Sequence, residues 1–285
     1  MLEGDSFQRF MFEDAHVRGE IVRLSESFQT TIQNKTYPAS VQSLLAEATV
    51  ASVLMTGTLK FEGRLALHAR GQGPVSLLMA EATNNKTFRS IAHYEEPLPN
   101  SQDLADFLGH AQLAITIEPD KGQRYQGIVP LEKPTMAECL AQYFDMSEQL
   151  DTHFMFASDG DSCFGLMLQK LPGYKEIEDQ DAWDRLRQLS ETLSFEELKA
   201  HDNAEILHRL FHDEALTVYE KEVVGFECSC SEERSRASLE ALGQEEALSI
   251  LEEEPVIAID CQFCGQHYEF DRDKVNDLFS IGPAH

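Results

Sequence analysis

The chain has 285 residues, 42% of them hydrophobic and 26% charged, which is apolar material for two or three folded units. Fifty acidic side chains against twenty-three basic ones give a formal charge of −27, a field that repels phosphate backbones and argues against nucleic acid as a partner. No apolar run reaches eighteen residues, and Met1-Leu-Glu-Gly-Asp5 lacks the basic start and apolar stretch of a secretory signal, so a cytoplasmic protein with no membrane partner is expected.

Residues 1–173 read as one α+β unit with antiparallel sheets and packed helices. Val17-Arg-Gly-Glu-Ile-Val-Arg-Leu24 alternates as a strand, with Val17, Gly19 and Ile21 on one side and Arg18, Glu20 and Val22 on the other. From Pro38, the residues Val41, Leu44, Leu45, Ala48, Ala51 and Leu54 recur at helical spacing, and proline suits a first turn. Leu59 and Phe61, a turn at Glu62-Gly63, then Leu65 and Leu67 predict a hairpin; Gly71-Gln-Gly-Pro74 predicts a turn before Val75-Ser-Leu-Leu-Met79. A further hairpin sets Leu113, Ile115 and Ile117 against Tyr125, Gly127 and Val129. After Pro134, Met136, Leu140, Tyr143 and Phe144 return to helical spacing. Hairpins flanked by helices point to antiparallel sheets, not to βαβ units.

Residues 174–224 read as a helical, acidic connector. Between 175 and 222 there are 14 acidic and 6 basic side chains and no glycine. Trp183, Leu186, Leu189 and Leu193 form one apolar stripe, Ser194-Phe-Glu-Glu197 is a capping box, and Ile206, Leu207, Leu210 and Phe211 form another stripe. Such stripes either pack permanently as core or are covered in one state and offered to partners in another. Trp183, Leu186, Leu189, Ile206, Leu207, Leu210 and Phe211 are the candidate residues of such a conditional surface.

Residues 225–285 hold four of the six cysteines, as Cys228-Ser-Cys230 and Cys261-Gln-Phe-Cys264. In a reducing compartment clustered cysteines are metal-bound or redox-active, and four thiolates from two tight turns satisfy one tetrahedral zinc ion. Leu239, Leu242, Leu248, Ile250 and Leu251 fit two short helices broken at Gly243. Val256-Ile-Ala-Ile-Asp260 leads as a strand into the Cys261–Cys264 knuckle, which returns as His267-Tyr-Glu-Phe270. A piece this small has little core, so the metal is expected to supply much of its folding free energy.

A closed four-cysteine site is what an inert structural ribbon would also have. The same thiolates are the form oxidants attack, and sulfurs two and three residues apart could each close into a local disulfide once the metal leaves. C-x-x-C keeps a thiol oxidoreductase in play, although thiolates tied to zinc are poor catalysts until released. His267 is assigned a supporting or surface place, because four cysteines already fill the tetrahedron; Cys139 and Cys163 read as small buried hydrophobes. With every zinc position taken by sulfur there is no open site for hydrolysis, and no catalytic residues and no enzyme activity are expected.

Phe226-Glu-Cys-Ser-Cys-Ser-Glu-Glu-Arg234, Leu242-Gly-Gln-Glu-Glu246 and Cys261-Gln-Phe-Cys-Gly-Gln-His-Tyr-Glu-Phe270 closely resemble the zinc domain of the redox-regulated holdase chaperone family, heat shock protein 33. The likeness extends through Gly71-Gln-Gly-Pro74, Glu118-Pro-Asp-Lys-Gly-Gln-Arg-Tyr-Gln-Gly127, Tyr143-Phe-Asp-Met-Ser-Glu-Gln149 and Leu216-Thr-Val-Tyr219. The resemblance implies an ATP-independent chaperone of the bacterial cytoplasm, one zinc per chain held by Cys228, Cys230, Cys261 and Cys264 when reduced. It further implies disulfides Cys228–Cys230 and Cys261–Cys264 when oxidised, unfolding of the zinc module and connector, and binding of unfolded client proteins. A homodimer favoured on activation and hand-over to ATP-dependent chaperones belong to the same expectation.

Overall fold

The computed structural model describes residues 4–58, 62–172, 179 and 181–280. They form two compact units, Met1–Glu227 and Cys228–His285.

The first unit opens with β1 (Ser6–Phe12) and β2 (Val17–Leu24), then α1 (Glu26–Ile32) and the long α2 (Ala39–Thr56). A second run of strands follows: β3 (Gly63–Arg70), β4 (Val75–Thr83), β5 (Thr87–Tyr94), the short α3 (Leu104–Leu108), β6 (Gln112–Pro119) and β7 (Tyr125–Pro130). Next come α4 (Met136–Tyr143), a π-helical turn at Phe144–Glu148, β8 (Thr152–Ser158) and β9 (Cys163–Lys170). The unit closes with α5 (Ala182–Glu191), α6 (Phe195–Ala200), α7 (Asn203–Phe211), β10 (Leu216–Val223) and β11 (Gly225–Phe226).

Two sheets result, ordered β10-β1-β2-β9-β8 and β11-β5-β4-β3-β6-β7. All their pairings are antiparallel except the short one between β11 and β5. The β6–β7 register sets Leu113 opposite Val129, Ile115 opposite Gly127 and Ile117 opposite Tyr125, as the alternation of apolar residues requires. Leu59 and Phe61 lie outside the described residues; β3 pairs with β4 and β6.

Helix α2 packs against strands of both sheets. It starts after Pro38 and is apolar nearly all round, a composition that by length alone would pass for a membrane span, and 72% of it is buried inside the unit. Its buried hydroxyls are satisfied internally, as where Thr49 donates to Leu45 O at 2.6 Å and shares a 2.7 Å bond with Ser90, and Ser52 and Thr56 each donate to a backbone oxygen three residues back at 2.7 Å. The core around it takes one face of β1 and β2, through Phe7, Val22 and Leu24.

A second core covers the other face of the same sheet. Phe10, Phe12, Val17, Ile21, Leu166 and Leu168 meet Leu186, Ile206, Leu207 and Phe211 of α5 and α7. Gly19 makes room for it: a Cβ there would fall 2.1 Å from the Phe10 ring. Sandwiched on both sides, β2 and β9 are buried along almost their whole length.

The connector is thus docked, and its helices have clean local causes. Ser194 and Glu197 form the reciprocal capping box of α6, the Ser194 hydroxyl accepting from Glu197 N–H at 3.3 Å and Ser194 N–H donating to the Glu197 carboxylate at 3.1 Å. Polar ties add to the apolar contact, Arg23 donating to His201 O at 2.5 Å and Lys199 meeting Asp159 at 2.6 Å, while Arg185 and Glu214 at 2.7 Å join α5 to the segment after α7. The connector is not helical to its end. Residues 216–223 form β10 on the free edge of β1, because Leu216-Thr-Val-Tyr219 is β-branched and aromatic and β1 offers unpaired backbone groups there.

Burying β2 on both faces also buries Glu20, which sits among apolar groups with Arg18, Arg9 and Lys86 as its charged neighbours. Lys86 is itself buried, its ammonium 3.4 Å from the Thr56 hydroxyl and 4.4 Å above the Phe7 ring. Loss of solvent pushes the Glu20 carboxyl from 4.5 up to about 7, the nearby cations only partly opposing it. The folded state therefore binds the extra proton between those two values, so Glu20 lowers stability as pH rises from about 4.5 to about 7. Glu20→Gln is expected to match the wild type at about pH 4 and to exceed it at pH 8 by about 3 kcal/mol. Urea denaturation followed through Trp183 checks this; a variant no more stable at pH 8 would refute it.

The second unit holds α8 (Glu232–Leu242), α9 (Gln244–Glu253), β12 (Ile257–Asp260), β13 (His267–Phe270) and α10 (Arg272–Ser280). Gly243, at φ 96°, ends α8 and starts α9. Its core is Leu239, Ala247, Leu251, Ile257, Phe270 and Val275, with half-buried neighbours around them. That is a small core for a self-standing unit.

Candidate metal centre

The C-x-C half-site runs straight into α8. Ser231 is the N-cap, its hydroxyl accepting from Arg234 N–H at 3.2 Å, so Cys228 and Cys230 are held by the start of a helix. The C-x-x-C half-site is a tight turn between β12 and β13. Gly265 N–H donates to Cys261 O at 2.8 Å, Cys261 N–H donates to Gln266 O at 2.9 Å, and Gly265 takes the left-handed φ of 72° the turn requires.

These two pieces bring the four sulfurs within 4.8 Å of one another. Two contacts cross between half-sites: Cys228 to Cys261 at 3.6 Å and Cys230 to Cys264 at 3.4 Å. Zinc–sulfur arms of about 2.3 Å in a tetrahedron give sulfur–sulfur edges of about 3.8 Å, so the spacing fits a closed zinc site. No other group of three or more cysteine, histidine or acidic side chains with this spacing occurs among the described residues.

Electrostatics point the same way. Burial works to raise the Cys261 thiol, but backbone N–H groups of Cys264 and Phe263 and the neighbouring thiols overcome it and bring it down to about 7. Burial and the other thiols push Cys264 up to about 12, and burial raises Cys228 as well. Four sulfurs so close cannot all ionise against one another unaided. A divalent cation among them removes that penalty.

His267 lies outside the sulfur cluster. Its ring nitrogens face Asp260 at 2.6 Å and Glu269 at 3.1 Å, and the two carboxylates raise its pKa. Cys139 and Cys163 are buried in the first unit, where loss of solvent raises both thiols. Of the candidate client-binding residues, Leu186, Ile206, Leu207 and Phe211 are fully buried in the second core of the first unit, and Trp183, Leu189 and Leu210 pack half-buried at its edge. Sequence reasoning missed Tyr268, whose hydroxyl donates to Cys230 Sγ at 3.2 Å. An aromatic residue on a returning strand carries no signal that separates core from sulfur partner.

Comparison with known proteins agrees with this arrangement. The family described as Hsp33 protein matches residues 5–271. The 33 kDa chaperonin of Ectopseudomonas mendocina is 44% identical over 281 residues, covering 97% of this chain and 95% of its own, and that of Pseudomonas paraeruginosa is 45% identical, covering 100% and 99%. The crystal structure of the 33 kDa chaperonin from Thermotoga maritima shares the fold, with a TM-score of 0.84 at 22% identity over 97% of this chain and 98% of that one. Strand order, helix placement, the clustered cysteines and near-full-length identity converge: the chain belongs to the Hsp33 family of heat-shock chaperones.

Proposed function

We propose that this chaperone is a redox-regulated, ATP-independent holdase of the cytoplasm, idle when Cys228, Cys230, Cys261 and Cys264 hold one zinc ion and active once oxidants have taken those sulfurs. The observation that carries the reading is the sulfur cluster itself: four thiols within 4.8 Å in a unit with a core of six buried apolar residues. Bound zinc would keep all four sulfurs as thiolates and tie the C-x-C turn to the C-x-x-C turn. Oxidised sulfurs cease to be ligands. Pairing Cys228 with Cys230 and Cys261 with Cys264 joins residues two and three positions apart in sequence, so those bonds persist in an unfolded module.

Residues 174–224 are the metastable element in this reading. Their acidic self-repulsion weakens docking, and the stripes of α5 and α7, with Trp183 and Leu189 at the edge, supply adhesive surface when it is lost. Unfolded client proteins are the partners, homodimers form on activation, and ATP-driven chaperones receive the clients. Nucleic acid has no place beside a charge of −27.

The decisive experiment measures light scattering from a thermally unfolding client without nucleotide. Peroxide-treated protein is expected to suppress scattering and reduced, zinc-loaded protein to leave it unchanged; equal activity in both states rejects the switch. A second reading, thiol oxidoreductase, is favoured by the Cys261 thiol at about 7, and turnover of a small disulfide substrate would support it.

A further inference from the structure

Cys230 receives a hydrogen bond from a side chain that lies outside both cysteine turns. The Tyr268 hydroxyl reaches its sulfur at 3.2 Å, joining positions 38 residues apart and therefore tying the strand after the C-x-x-C turn to the C-x-C turn.

The placement is fixed from both ends. Tyr268 stands opposite Ile259 in the β12–β13 ladder, and its ring packs half-buried against the core of the second unit, so the hydroxyl has little freedom to point elsewhere. A phenol O–H directed at a thiolate draws electron density from the sulfur. That strengthens the orientation of a ligand and blunts it as a nucleophile.

We propose that Tyr268 is a positioning residue of the switch: its hydroxyl pins Cys230 and sets how much oxidant that half-site withstands. This rests on the reading of the cluster as an oxidant-sensitive zinc site. Oxidation of one half-site consumes one hydrogen peroxide. A thiolate attacks one peroxide oxygen, the O–O bond breaks, and the departing hydroxide takes a proton to become water. The second thiolate then displaces hydroxide from the sulfenic acid, forming the S–S bond and, with another proton, a second water; two electrons have passed from sulfur to oxygen. A sulfur whose lone pair is engaged by Tyr268 enters the first of these steps more slowly.

Tyr268→Phe keeps the ring and deletes one oxygen, and His267→Ala is the neighbouring control that touches no sulfur. Three measurements on the full-length protein decide the matter: metal affinity by chelator competition, the sulfur-to-cobalt charge-transfer band of the cobalt(II)-loaded protein, and mass-spectrometric mapping of alkylated thiols during peroxide titration. Tyr268→Phe is expected to bind zinc about tenfold more weakly, to shift the band, and to lose alkylatable thiol at Cys230 and its partner Cys228 at lower peroxide than the wild type while Cys261 and Cys264 keep the wild-type course. His267→Ala should change none of these. An unshifted band with unchanged labelling overturns the proposal, as does a loss of affinity accompanied by equally early loss of alkylatable thiol at all four sulfurs, which marks mere loosening of the fold. Wild-type protein that keeps its zinc under peroxide would sink the switch instead, and the band then decides alone whether the hydroxyl clamps Cys230.

Discussion

Stripping zinc from the reduced protein with a chelator, or replacing Cys261 by serine, is expected to unfold residues 228–280 while leaving the sheets of the first unit intact. The magnitude follows from the size of the core. Six buried apolar side chains hold the second unit together, and a unit of this length has a stability of roughly 3–9 kcal/mol even when well packed. Structural zinc in small peptides contributes on the order of 10 kcal/mol or more, so its loss exceeds what the remaining contacts can supply. Serine at 261 removes the thiol that ionises most readily, along with the contact to Cys228 at 3.6 Å. Limited proteolysis with peptide mapping should show new cuts between α8 and α10, and far-UV circular dichroism a loss of helix. A metal-free protein that remains protected there would show that the cysteines brace nothing.

Phe211→Ala should release the connector without touching a single sulfur. Phe211 is 1% exposed and makes edge contacts with Phe12, ring centres 4.9 Å apart, while leaning on Phe10 at 6.2 Å. Truncating such a ring costs about 3–5 kcal/mol, a large share of what the stripes of α5 and α7 and a few surface ion pairs supply to hold the connector. The reduced, zinc-loaded variant is accordingly expected to suppress client aggregation with no oxidant present, and trypsin should cut at Arg185, Arg187 and Arg209. Leu189→Ala, at the half-buried edge of the same core, should have a much smaller effect. Cleavage at those arginines with no gain in holdase activity would remove α5 and α7 from the account.

Sequence-local features were the readable ones. The β6–β7 register followed from alternation around a polar turn, the helix after Pro38 from its spacing, the start of α6 from Ser194 and Glu197, and the break at Gly243 from a residue that tolerates positive φ. The convergence of Cys228, Cys230, Cys261 and Cys264 was legible because thiolates at that spacing have few other uses. What escaped was non-local. Strand β1 pairs with β10, more than two hundred residues away, and nothing in Leu216–Val223 distinguishes an edge strand from the polar stretch around it except alternation diluted by Glu220, Lys221 and Glu222. Burial of Glu20 was equally hidden, since a strand sandwiched between two cores has no solvent face to accept the charge its alternation would place there.

The placement of β10 has a consequence for how a released connector behaves. Strands β9 and β10 both belong to the five-stranded sheet, so α5, α6 and α7 are fastened at both ends to the same scaffold. When they undock with β10 still paired to β1, they form a closed noose, not a loose tail, and lengthening such a loop adds only about 0.6 kcal/mol of closure cost per doubling. The noose never drifts from its berth. Its return after reductant is restored should therefore be a first-order event with a rate indifferent to protein concentration, and a client held by it has to compete with that berth for as long as it stays bound.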